Sequence, residues 1–140
     1  MEQIQQLGPK INVYDRIFFH GYKPVGPELF AFYKQADIYL IASQSSEGFP
    51  RTIWEAMAHS LPVVATKVGS IPDFISGAAE LVNPMVPNEL ASAISRLIHN
   101  PKLRQEYIAK GLALAHQNSL EIQVGEMARV IKTWLENQNA

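Results

Sequence analysis

Two carboxylates set the chemistry open to this chain. Glu47 and Glu55 stand with seven residues between them in SSEGFPRTIWEAMAHSLPVVAT, residues 45–66. An ionised carboxylate only accepts hydrogen bonds, so the pair suits hydroxyl groups and not phosphates. Gly48 lets backbone approach a ligand closely. The amides of Phe49 to Ile53 fall at or near a predicted helix start, whose unpaired N–H groups and partial positive charge suit a phosphate. A phosphate seat flanked by two hydroxyl acceptors describes a nucleotide-sugar site better than a bare nucleotide site. The plainer alternative is solvated surface charge: Glu55 in the first turns of a helix also favours the macrodipole. Glu47, behind Ser45 and Ser46 and before Gly48, has no such structural role.

The elements that must position these residues follow from the apolar pattern. Residues 2–7 read as the tail of a helix stopped by Gly8-Pro9. Ile17-Phe18-Phe19, ended by His20-Gly21, reads as a buried strand. Pro27 suits a first helical position, and Leu29, Phe30, Tyr33 and Ala36 recur at helical spacing. Ile38 to Ala42 is continuously apolar, as parallel strands buried on both faces are. A loop over residues 43–50, a helix over 51–59 and a strand over 62–65 follow. A turn at Gly69-Ser70, a short helical piece over 71–76 and a weak strand over 80–82 complete the alternation. The C-terminal third is helical. Leu90, Ala93, Ile94, Leu97 and Ile98 form one stripe, Asn100-Pro101 caps a second helix, and Leu103, Tyr107, Gly111 and Leu114 carry its face. Asn118 and Glu121 read as a capping box for a last helix with Ile122, Met127, Val130, Ile131 and Trp134 inward. Alternating strands and helices imply a Rossmann-like α/β domain: a parallel sheet of about four strands with flanking helices. Ligands of such sheets bind outside the carboxyl ends of the strands, where the 43–50 loop emerges.

Composition narrows the function classes. The 140 residues, 47% hydrophobic, suit one domain with a real core. A net charge of -1 gives no basic footprint for nucleic acid. The absence of cysteine excludes a disulfide scaffold and thiolate-bound zinc, and fits a reducing compartment. No apolar run reaches the roughly 20 residues of a membrane span.

Residues 47–66 and the following VGSIPDF resemble the donor-binding half of the GT-B retaining glycosyltransferases. That family's signature is a Glu, seven residues and a Glu within EGF(G/P)xxxxEAMAxGxPVVA(T), then a Gly-Gly-Ile-Pro-Glu-like turn. Phe18-Phe19-His20-Gly21 resembles the strand ending that precedes it, Ala36-Asp37-Ile38 the start of the next strand, and Asn100-Pro101 a late helix break. The resemblance implies that residues 1–140 are part of a GT-B C-terminal domain, binding a nucleotide-diphosphate sugar for transfer with retention. It makes Glu47 the catalytic contact to the sugar hydroxyls, gives the backbone of Gly48, Phe49, Pro50 and Arg51 to the sugar and diphosphate with Thr52 beside it, and gives Glu55 to the ribose. His20 and Ser46 are further candidates for the cleft. The resemblance implies no cofactor and no metal.

The same resemblance carries departures. Ser60 and Ser70 replace glycines of the signature, with strain wherever φ must be positive. Asp73 stands where Glu is commoner. The family's Arg and Lys pair for the diphosphate lies upstream of any residue here, as do two strands of the sheet and the acceptor domain. The expectation is therefore a piece of a longer cytoplasmic transferase, peripheral at the inner membrane face, whose isolated chain is weakly active or inactive. The alternative is a non-catalytic nucleotide-sugar module that needs a partner chain. A phosphate-receiving signalling domain needs acidic residues at strand carboxyl ends, whereas Asp15 and Asp37 precede strands. His59 reads as a helix C-terminal cation, Lys67 as solvated, and Trp54 and Trp134 as packing residues.

Overall fold

The computed structural model describes residues 13–45 and 48–138. The expected helix at residues 2–7 lies outside them, as do Ser46 and Glu47. The chain divides into two units, Met1–Ala31 and Phe32–Ala140.

In the described part of the first unit, a 3-10 turn covers Tyr14–Arg16. Helix α1 (Pro27–Gln35) begins at the proline expected to start it, and its residues from Phe32 on, Tyr33 among them, belong to the second unit. The expected strand at Ile17–Phe19 is not formed. A strand persists where a neighbour takes up its N–H and C=O groups, and no described strand runs beside these residues. Phe18 and Phe19 are exposed, and the Phe18 ring stacks on His20 with centroids 6.5 Å apart.

The second unit carries the α/β layers. Strands β1 (Tyr39–Ile41), β2 (Val63–Thr66) and β3 (Glu80–Val82) form a parallel sheet in the order β1-β2-β3. Tyr39 stands opposite Val63, and Val64 opposite Glu80. Every residue of β2 is buried, as its apolar run and central place require. Helix α2 (Arg51–Ala58) follows β1, and helix α3 (Ile71–Ile75) follows β2. After β3 come α4 (Pro87–His99), α5 (Pro101–Gln117) and α6 (Leu120–Gln138).

The sheet has an apolar layer on each face. Val64 and Val82 pack with Ala93 and Leu97 of α4, joined by Ile38, Leu90, Ile94, Leu103 and Tyr107. On this face Glu80 accepts from Nε of Arg96 at 3.1 Å, and a second guanidinium nitrogen bonds its other oxygen. That bond pushes the Arg96 ionisation further up. Helix α2 packs on α5 and buries Ile53, Ala56 and Met57 completely or nearly so. Gly111 of α5 makes the approach possible: a Cβ there would stand 3.0 Å from Cγ of Met57.

Helix ends follow the residues that cap them. The Asn100 side chain accepts from the Leu103 amide at 3.0 Å, and Pro101 opens α5. The capping expected of Asn118 belongs instead to Ser119, whose Oγ accepts from the Ile122 amide at 3.4 Å. Asn118 closes α5, donating from its side chain to the Leu114 carbonyl at 2.9 Å. The inward stripe expected on α6 is also corrected. The helix buries no residue, and Met127, Val130, Ile131 and Trp134 are exposed. Its apolar pattern is real, but no described element covers that face.

Candidate functional site

Because the three strands are parallel, their carboxyl ends share one edge of the sheet. The 43–50 loop leaves that edge and delivers the chain to Arg51, the first residue of α2. Pro50 is the N-cap, in extended backbone at φ -70° and ψ 119°, and no side chain caps the helix. A proline carries no side-chain oxygen, so the first amides of α2 are left to a ligand or to water. Among the candidates, Gly48, Phe49, Pro50, Arg51, Thr52 and Glu55 are all described and lie along this loop and the first two turns of α2. Arg51 and Thr52 are exposed; Phe49, Pro50 and Glu55 are half-buried.

The helix periodicity sorts these side chains onto three edges of α2. Ile53, Ala56 and Met57 point into the core. Trp54 turns to the side of Phe49 and Phe74: Phe49 stacks on Trp54 with centroids 4.5 Å apart, and Phe74 meets Phe49 edge-on at 5.1 Å. The packing role expected of Trp54 is thus met within an aromatic cluster, whereas Trp134 is exposed. Thr52, Glu55 and His59 occupy the third edge, at helical spacing.

On that third edge two tyrosines meet the candidates. Tyr33, in the last turns of α1, donates its hydroxyl to Oε2 of Glu55 at 2.9 Å. Tyr39, at the start of β1, donates to Oγ1 of Thr52 at 2.7 Å. The two rings lie 6.2 Å apart, and His59 stacks on Tyr33 at 5.1 Å. His59 also places Nδ1 2.7 Å from the Glu55 carbonyl oxygen. Burial, then the hydrogen bond to Glu55 and the carboxylate's charge, push the Tyr33 phenol well up. Burial likewise raises Tyr39, against the Thr52 hydrogen bond and with the Glu55 charge. Both phenols therefore stay protonated donors at neutral pH.

Sequence reasoning missed these two partners. Periodicity assigned Tyr33 to a helix face, and a face does not name an acceptor. The available signal was chemical: a buried phenol must find a hydrogen-bond partner.

Of the other candidates, Ser46 and Glu47 lie outside the described residues. His20 lies in the first unit, and the strand end that recommended it is not formed. Thr66 is buried and donates to the Ser43 carbonyl at 2.8 Å, tying the end of β2 to the loop after β1. Lys67 is exposed. A cavity of about 150 Å³ lies at the same sheet edge, lined by Ala42, Gln44, Thr66, Asn83, Met85 and Leu90 among others. It is smaller than the roughly 300–1,000 Å³ of a typical ligand pocket, so the polar edge of α2 remains the better candidate.

A family model described as "Glycosyl transferases group 1" matches residues 2–113. The chain is similar to the lipopolysaccharide 1,6-galactosyltransferase of Escherichia coli K12, at 29% identity over 83% of this chain and 30% of that protein. It is similar to the D-inositol 3-phosphate glycosyltransferase of Streptomyces griseus, at 34% identity over 84% of this chain and 25% of that protein. The chain thus spans about a third or less of the length of these curated relatives. The solved C-terminal domain of a glycosyl transferase group 1 family protein from Francisella tularensis superposes with a TM-score of 0.73 at 29% identity. That match covers 84% of this chain and 60% of that one. This chain itself carries the parallel α/β sheet with flanking helices that the sequence predicted, with three strands among the described residues. No described helix is long and apolar enough to cross a membrane.

Proposed function

We propose, from the premise that this chain belongs to the glycosyl transferases group 1 family, that it is the donor half of a retaining glycosyltransferase. It binds a nucleotide-diphosphate sugar, and the sugar passes to an acceptor held by other parts of the protein. Glu55 accepts from the ribose hydroxyls. The backbone from Gly48 to Thr52 receives the diphosphate and sugar at the uncapped start of α2. Glu47 contacts the sugar hydroxyls. No metal is required in this reading, because helix-terminal amides take the place of a cation at the phosphate. The donor side works in the cytoplasm, with the full-length protein held peripherally at the inner membrane face.

The observation that supports this reading most is the placement of Glu55. It stands one turn after an uncapped helix start at the carboxyl edge of a parallel sheet. That arrangement offers phosphate donors and a hydroxyl acceptor on one short helix. The test is titration of the purified chain with nucleoside diphosphates, comparing wild type with Glu55→Ala. Weaker binding in the variant, by about tenfold for a charged hydrogen-bond acceptor, is expected. Unchanged affinity removes Glu55 from the ribose.

A second reading is favoured by α6, whose apolar side chains are exposed along its length. Here the chain is a non-catalytic nucleotide-sugar module that works through a partner chain. Sugar transfer by the full-length protein on its own supports the first reading; donor binding with transfer only on adding a partner chain supports the second.

A further inference from the structure

We propose that Tyr33 is a positioning residue for Glu55, holding Oε2 so that the carboxylate meets the donor ribose in one fixed orientation. The inference rests on the ribose role of Glu55 given above.

Its basis is geometric. The Tyr33 hydroxyl lies 2.9 Å from Oε2, and among the described residues no other side chain donates to this carboxylate. Tyr33 comes from a different element, α1, and only 8% of it is exposed. Its ring is wedged between His59 at 5.1 Å and Tyr39 at 6.2 Å, so its hydroxyl is a rigid reference point. A glutamate on a helix edge otherwise loses rotamer freedom when it binds, and that loss opposes affinity. A tyrosine suits the task better than a lysine or arginine. It fixes one oxygen through a neutral donor, so the charge and the remaining lone pairs stay available for two sugar hydroxyls. A cation would form an ion pair and compete with them.

The position of Tyr39 sharpens the assignment. It presents the same hydroxyl to the same helix edge, but to Thr52 at 2.7 Å and not to Glu55. The two tyrosines therefore separate orientation of the carboxylate from general packing of α2.

The experiment is calorimetric titration of the full chain with ADP, GDP, UDP and CDP, then with the 2′,3′-dideoxy form of the one that binds tightest. The readout is the ratio of the two affinities. Wild type is expected to prefer the ribonucleotide, and Glu55→Ala to lose the preference. Tyr33→Phe is expected to weaken the ribonucleotide by about three- to tenfold, the range for one hydrogen bond, and to leave the dideoxy form unchanged. Tyr39→Phe is expected to keep the wild-type ratio. Each ratio is read on one preparation, so a fraction of unfolded chain does not alter it. Suppose Glu55→Ala loses the preference while Tyr33→Phe keeps it, weakens both ligands equally or binds more tightly. The positioning role is then overturned and the ribose role stands. A Tyr39→Phe ratio that falls as far as that of Tyr33→Phe also overturns it. If wild type binds none of the four, shows no preference, or keeps it in Glu55→Ala, the ribose role fails and the inference with it.

Discussion

Ser60 holds the left-handed backbone at φ 60° immediately after α2. Its amide bonds the Met57 carbonyl at 3.0 Å, and the Leu61 amide bonds that of Ala56 at 3.0 Å. These are the two bonds of a Schellman helix end, where glycine is usual because it lacks a Cβ. The sequence marked Ser60 and Ser70 as departures from glycine, with strain wherever φ is positive. The structure divides them: Ser70 sits at φ -86° as the N-cap of α3, and the positive φ falls on Gly69. Ser60→Gly is expected to stabilise the chain by about 0.5–1 kcal/mol, since relief of left-handed strain exceeds the added unfolded-state entropy. A urea denaturation midpoint checks this, and a lower midpoint contradicts it. Residue identity thus showed where strain could fall, while the backbone decided where it did. At the site the limit was similar. The types and spacing of Thr52 and Glu55 were legible, but their tyrosine donors come from residues up to 22 positions away, beyond the reach of a local pattern.

At the scale of elements, periodicity was most informative where an element has a neighbour. Ala93 and Leu97 of the α4 stripe and the continuous run of β2 are buried as read, because each packs against the other's layer, while Ile98 at the end of the stripe is exposed. Asn100-Pro101 caps α5 as expected, since the cap needs only residues within one turn. The break between α5 and α6 shows the ambiguity of adjacent polar residues: Asn118 and Ser119 can each cap, and Ser119 takes the task. The strand at Ile17–Phe19 failed for a different reason. An apolar run promises a strand only if a partner supplies the ladder. Gly111 tests the contact of α2 and α5 that holds the candidate site's helix in place. Gly111→Leu inserts a branched side chain where a Cβ already stands 3.0 Å from Met57. It is expected to destabilise the chain by about 1–3 kcal/mol despite the better helix propensity of leucine. Thermal unfolding measures it, and an unchanged or raised melting temperature contradicts the packing argument.

At the scale of the whole molecule, the second unit is an apolar α/β layer structure with one exposed helix. Leu120, Met127, Val130 and Trp134 of α6 are 59–75% exposed. A pattern read as a core stripe is thereby an apolar face without a described cover, a distinction periodicity alone does not make. The family match over residues 2–113 ends before this helix, while the candidate site lies wholly within it. The central claim is that the start of α2 receives a nucleotide. The most direct measurement is backbone NMR of the labelled chain as the tightest-binding nucleoside diphosphate is added. The account predicts amide shift changes centred on Gly48 to Glu55 and on Tyr33. Changes centred on the cavity beside Asn83 and Met85, or none at millimolar nucleotide, would contradict it.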